Sequence, residues 1–210
     1  MSTLSNTTGH RRHFAHHRHA TGHLTPLWVG RMLNWPVRRL LENPERILRS
    51  YVKPGMTVLD LGCAMGFYTL PLARLVGPRG RVVAVDVQAE MLTHLDRRLR
   101  RSDLAARVAT RLCSADDLRL ADAAWLSVGA EFALAAHVVH EVPDIESFFT
   151  QVHSALRPVA HLLLIEPKGH VSAKQFAAEL YEAAASGFEV RGRLSIPLAR
   201  AALLKRPVVE

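Results

Sequence analysis

From Lys53-Pro54-Gly55 onward the chain alternates short apolar runs with longer stretches in which apolar residues return every three or four positions. The runs at 57–61, 81–86, 107–113, 131–137 and 160–166 predict strands, and the intervals 67–77, 88–101, 118–126 and 144–157 predict helices. Strands alternating with helices predict an α/β domain, a parallel sheet with helices on both faces. Two helix starts are well signed. Asp144 precedes Ile145, Phe148, Phe149 and Val152, and Ser172 with Gln175 forms a capping box whose helix is closed by Gly187. Beyond Gly187, the runs FEVRGRLSI and LARAALLKR meet at Pro197 and predict an antiparallel pair that finishes the sheet.

The N-terminal quarter is patterned differently. Residues 1–23 have too few large apolar side chains to offset the entropy of ordering them and are read as a disordered arm rich in His and Arg. Residues 24–50 carry Trp28, Met32, Leu33, Trp35, Leu40, Leu41, Ile47 and Leu48 between Pro26, Pro36 and Pro44, which predicts a cap of short helices broken at the prolines. Residues 51–210 form the α/β domain.

The stretch TVLDLGCAMGFYTL, Thr57 to Leu70, reads as strand, Gly-rich turn and helix. Gly62 and Gly66 are expected to let backbone approach a ligand where a Cβ would collide, with the first amides of the next helix facing the same space. A dinucleotide fingerprint would put glycines at 62, 64 and 67, where this chain has Ala64 and Phe67 at the latter two, and Asp60 stands two residues before Gly62. An acidic residue followed by that glycine spacing fits S-adenosylmethionine better than NAD.

LDLGCAMG, followed by VVAVDV, resembles the class I S-adenosylmethionine-dependent methyltransferases, and the resemblance extends over roughly residues 45–206. It implies a Rossmann-like doubly wound sheet, mostly parallel with an antiparallel C-terminal strand, and S-adenosyl-L-methionine as cosubstrate with S-adenosyl-L-homocysteine as product. It places Asp60, Gly62, Cys63, Ala64 and Gly66 in the cofactor turn. Asp86, ending the second strand, would accept the ribose hydroxyls, with Val87 and Gln88 flanking the adenine; an Asp there also suits a helix N-cap. Asp116, or Asp117 in its place, would meet the adenine amino group, and Ala115 would supply a backbone amide. Trp28 and Trp35 become pocket candidates, because in the family such an N-terminal segment folds over the cofactor. Two positions depart from the family pattern. Ala64 replaces a usual glycine and fits if its φ is negative, and Val159-Ala160 replaces a Gly-Gly turn before the fifth strand.

The fourth strand ends in ALAAHVVHEVPD. Ala136, His137 and Val138 should face the methyl group, with His140 and Glu141 just beyond. Methyl transfer from a sulfonium is an in-line displacement whose main demand is positioning. An acceptor hydroxyl or thiol would also benefit from a base, for which His137 and His140 are the candidates. The HxxHE order is not the HExxH of a zinc helix, so no metal site is read here. The run also lacks the (Asp/Asn)-Pro-Pro-aromatic sequence of amino-methylating nucleic-acid enzymes, and no Pro-Cys nucleophile occurs, which points to O, N or S of a small molecule rather than nucleic acid. Arsenic methyltransferases use several cysteine thiolates, a set this chain lacks with Cys63 committed to the cofactor turn.

Charge changes the picture only at one end. The net charge is +8 over 210 residues, with 27 Lys and Arg against 19 Asp and Glu. The first fifty residues hold net +6 and the remaining 160 only +2. Six of the twelve histidines, from His10 to His23, lie in the arm. These features keep open a second class of reading: a methyltransferase-fold binding protein that responds to metal or docks RNA through its arm, or an RNA methyltransferase anchored by it. Two cysteines, Cys63 and Cys113, give no disulfide framework. With no apolar run of spanning length and no secretory core at the N-terminus, the expectation is a cytoplasmic protein with no membrane partner, for which a homodimer is allowed.

Overall fold

The structure is a computed structural model that describes residues 42–121 and 126–208. The arm, Trp28, Trp35 and most of the cap lie outside the described residues. The described chain begins just before α1 (Pro44–Leu48), whose first turn is capped by the Asn43 side chain accepting from the Arg46 N–H. Then follow β1 (Thr57–Leu61), α2 (Thr69–Val76), β2 (Arg81–Asp86), α3 (Ala89–Arg100), β3 (Val108–Leu112), β4 (Ala130–Ala136), α4 (Ile145–Ala155), β5 (Leu156–Pro167), α5 (Ala173–Ala185), β6 (Glu189–Ile196) and β7 (Ala199–Lys205).

The sheet order is β3-β2-β1-β4-β5-β7-β6. β1 to β5 are parallel, with Leu59 opposite Val83 on one side and Ala133 on the other. β7 runs antiparallel to both β5 and β6 and is inserted between them. The chain thus steps outward one way through β2 and β3, then returns to the other side of β1 with β4. That reversal opens a crevice beyond the carboxyl ends of β1 and β4.

Alternate strand residues feed two cores. Val58, Val82, Ala84, Phe132 and Leu163 pack with Leu72 of α2 and Leu95 of α3. Leu59, Leu61, Val83, Val85 and Leu162 pack with Phe148 and Phe149 of α4 and Phe176 of α5. Both faces are dry, which is why the strand segments read as near-continuous apolar runs.

β1 and β2 match their predicted ranges residue for residue. The capping box of α5 and the Asp144 cap of α4 are present. The helix expected at 118–126 is not found at its described start: residues 118–120 are neither helix nor strand, and Arg119 turns the chain at φ +52°. Leu118 and Leu120 are buried around an exposed Arg119, and Gln151 Oε1 accepts the Leu118 N–H at 2.8 Å, so the segment is tied to α4 as an irregular strap. No turn separates α4 from β5 at Val159-Ala160 either. The strand starts at Leu156 and runs through Val159, which adopts φ +62° while its N–H donates to Arg206 O at 2.9 Å.

Candidate active site

β1 delivers Leu61 to the edge of the crevice, where the chain must turn sharply. Gly62 has φ +69°, and a Cβ there would stand 2.6 Å from Val138 Cγ2, so the loop after β4 seats directly on this glycine. Ala64 follows with φ +45°, against the expectation of a negative value. Its N–H donates to Asp86 Oδ2 at 2.8 Å, and that bond holds a conformation costing about 1–2 kcal/mol for a residue with a Cβ. Gly66 serves a different purpose from the one its spacing suggested. It is not among the residues lining the cavity, and a Cβ on it would meet Leu95 Cδ1 at 2.5 Å and Leu70 Cδ1 at 2.8 Å, so it makes room for α2 against α3.

One cavity lies over this turn, walled by Asp60, Gly62, Cys63 and Ala64 from the turn, Asp86, Val87 and Gln88 after β2, Ser114 and Ala115 after β3, and Ala136, His137 and Val138 after β4. Asp60 is buried and accepts from the Thr69 hydroxyl at 2.6 Å. Burial lifts its carboxyl to about 7, the Thr69 bond opposing and nearby Asp86 adding to the rise. Asp86 accepts from Ala64 N–H on one oxygen and from Gln88 N–H, at 2.9 Å, on the other. Burial raises it as well, while those two backbone donors favour the charged form. Asp86 faces the cavity as an acceptor, which suits a vicinal diol, and the N-cap position of α3 falls to Gln88 rather than Asp86. Cys63 is pushed well above its ordinary value and Cys113 up to about 11, both chiefly by burial, so both are thiols at neutral pH.

Asp116 does not reach the cavity wall. It is exposed, its carbonyl accepting from Gln151 Nε2 at 2.9 Å, and Asp117 spends a carboxylate oxygen on the Arg119 N–H at 2.7 Å. These acids shape the turn into the 118–120 strap, leaving Ala115 and Ser114 as the wall.

The two histidines part company. His137 lines the cavity at φ +60°, its N–H donating to Ile165 O at 2.7 Å. His140 is not a lining residue: its Nδ1 donates to Glu166 Oε2 at 2.5 Å, and Glu166 Oε1 accepts the Val139 N–H at 2.8 Å. Burial alone would lower the His140 pKa, but the bond to Glu166 and the charges of Glu166, Glu141 and Glu179 raise it. Glu166 and Glu179 are buried, and burial with the Glu166 charge pushes Glu179 up to about 8. Sequence reasoning passed over Glu166, although a lone acid ending the apolar run LLLIEP was a visible signal. It also passed over Glu42 and Tyr68, which no local pattern marks. Among the described residues, no grouping of His, Cys, Asp and Glu could hold a metal ion, and no helix is long and apolar enough to cross a membrane.

Comparison with known proteins agrees with this geometry. A demethylmenaquinone methyltransferase of Lactobacillus johnsonii is 30% identical over 115 residues, which is 55% of this chain and 45% of that protein. The ubiquinone/menaquinone biosynthesis C-methyltransferase UbiE of Klebsiella pneumoniae is 32% identical over 117 residues, 56% of this chain and 45% of that protein. The chain thus spans about half the length of the curated relatives it matches. In fold, it superposes on an S-adenosylmethionine-dependent methyltransferase from Aquifex aeolicus with a TM-score of 0.77 at 23% identity, covering 87% of this chain and 100% of the other. The model of the methyltransferase domain matches residues 52–193, a span that holds the turn, Asp86 and the post-β4 loop, and the chain belongs to the class I S-adenosylmethionine-dependent methyltransferase family.

Proposed function

We propose that this protein transfers the methyl group of S-adenosylmethionine to a small acceptor bearing a hydroxyl, either at that oxygen or at a ring carbon activated by it. The observation that carries this reading is that the diol-suited Asp86 and the imidazole of His137 wall the same cavity. Asp86 holds the ribose, Val87 flanks the adenine, and the Gly62–Ala64 turn lies along the rest of the cosubstrate. Asp60, part-protonated near neutrality, faces the same space and suits a ligand donor.

In the transfer, a bond forms between the acceptor atom and the methyl carbon as the S–CH₃ bond breaks. The electron pair stays on sulfur, giving the neutral thioether S-adenosylhomocysteine. The acceptor's hydroxyl proton must leave, and His137 takes it. Carbon enters this reading through the relatives named for demethylmenaquinone methylation and ubiquinone/menaquinone biosynthesis: a deprotonated hydroxyl activates a ring carbon, and the hydrogen that carbon carried is then lost as a proton while the oxygen regains one. The two cysteines are held as thiols and offer no thiolates for a metalloid.

The test is release of S-adenosylhomocysteine by the purified chain against dihydroxynaphthalenes, catechols, primary amines and thiols, beside calorimetry with S-adenosylhomocysteine. Hydroxylated acceptors should turn over, with product affinity in the micromolar range, about 8 kcal/mol. Turnover confined to amines or thiols, or no heat with the product, would overturn it.

A further inference from the structure

The outer wall of the cavity holds a three-residue contact that neither the turn motif nor the strand-end residues account for. Glu42 lies just before α1 and is 6% exposed. Its Oε1 accepts from the Tyr68 hydroxyl and also lies 3.3 Å from His137 Nε2. Tyr68 and His137 both line the cavity. Glu42 comes ten residues before the start of the stretch shared with the methyltransferase-domain model, so this carboxylate reaches the site from outside the sheet that builds the rest of it.

An ionised carboxylate only accepts hydrogen bonds, so its contact with His137 requires the proton on Nε2 and leaves the lone pair on Nδ1. The backbone of His137 is independently fixed by its own N–H bond to Ile165 O, so the imidazole is held at both ends. A carboxylate against one ring nitrogen sets which tautomer is present.

We propose that Glu42 is the positioning residue of the site: it fixes His137 as the Nε2–H tautomer, so that Nδ1 is the atom that receives the acceptor's proton. This deepens the proposed function and rests on its assignment of His137 as the base. As the acceptor loses its proton to Nδ1, the imidazolium is paired with Glu42, and the proton passes to solvent after product leaves.

The experiment uses the full chain labelled with ¹⁵N-histidine and saturated with S-adenosylhomocysteine. The ring nitrogens of His137 are assigned by their loss in His137→Gln. The wild type should show His137 as Nε2–H with an unprotonated Nδ1, and Glu42→Leu, which has no acceptor, should give a mixed or reversed tautomer while product affinity changes less than about threefold. With a turned-over hydroxylated acceptor, Glu42→Gln should lower kcat at least about tenfold with KM nearly unchanged, and Glu42→Asp should recover part of it. An Nδ1–H tautomer in the wild type, or an unchanged tautomer in Glu42→Leu, would overturn the inference whatever the acceptor. Failure of the wild type to bind S-adenosylhomocysteine would instead overturn the proposed function.

Discussion

Asp60 and Asp86 stand at the ends of β1 and β2, Glu166 at the end of β5 and Glu179 on α5, and all four carboxyl groups are buried. The first pair takes its hydrogen bonds from a hydroxyl and from backbone N–H groups and forms part of a cavity wall. The second pair lies off that wall, with His140 bonded to Glu166 and Glu179 Oε2 left without a hydrogen-bond partner. Buried acids therefore do two jobs in one sheet. Where the wall is open, the carboxyl groups face a cavity, and the proposed cosubstrate would supply further donors there. Where it is closed, the protein supplies an imidazole, and the result is a lock on the loop that carries His137 and Val138.

If that contrast is right, breaking the lock should cost fold rather than ligand. Glu166→Ala strands His140 and the Val139 N–H, and should lower stability by about 3–5 kcal/mol, or roughly 10 °C in Tm. A loss under about 2 °C by thermal denaturation would mean that the loop does not depend on the lock. The reverse holds at Asp86. Asp86→Ala should weaken S-adenosylhomocysteine binding by about 1.5–3 kcal/mol, roughly tenfold to a hundredfold by calorimetry, with a smaller Tm change than Glu166→Ala. Equal affinities in the two proteins would remove Asp86 from the ligand wall.

The pH response sharpens the comparison. Glu179 is raised from 4.5 to about 8 and Asp60 from 3.8 to about 7, so between those limits the folded state holds protons that the unfolded state has released. His140, raised above 6.5, acts in the same direction, since its stabilising contact is fully present below that value and fades as pH rises through its folded pKa. Stability should therefore fall as pH climbs from about 4.5 to 8, by about 1.4 kcal/mol per pH unit for each such proton. Glu179→Gln should flatten the upper part of that fall and leave the variant more stable than the wild type at pH 8.5. A Tm that rose over this interval would contradict the assignment. The smallest effect is expected at Thr69→Val, which deprives Asp60 of its hydroxyl donor and should cost about 1 kcal/mol of stability in chemical denaturation. No change there would show that Asp60 does not depend on the Thr69 hydroxyl.

The sequence made the cofactor half of this site more legible than the acceptor half, and the reason is physical. Asp60, Gly62 and Asp86 are dictated by local geometry, a turn after one strand and the end of the next, so spacing alone brought them together. Gly66 has a packing reason to be glycine as well, since a Cβ there would meet Leu70 and Leu95, and a glycine demanded by helix packing and one demanded by a ligand look alike in one dimension. The strap at 118–120 was opaque, because its turn at Arg119, at φ +52°, is set by bonds to the Asp117 and Gln151 side chains rather than by the spacing of Leu118 and Leu120. Val159 was opaque, since a β-branched residue at positive φ is held there by Arg206, 47 positions away in the chain. Glu42, Tyr68 and His137 meet across 95 residues, a distance over which no periodicity carries information.

The insertion of β7 between β5 and β6 has a consequence for the order of assembly. β6 is synthesised before β7 yet touches the sheet only through it, and β5 keeps a bare hydrogen-bonding edge until β7 arrives. The hairpin must therefore dock as a unit, after the parallel strands are in place, and its contacts with β5 span more than thirty residues of chain, from Pro167 opposite Ala199 to His161 opposite Lys205. A nascent chain paused after Ile196 would present a long apolar strand edge to its neighbours on the polysome, which makes β7 a guard against aggregation during synthesis.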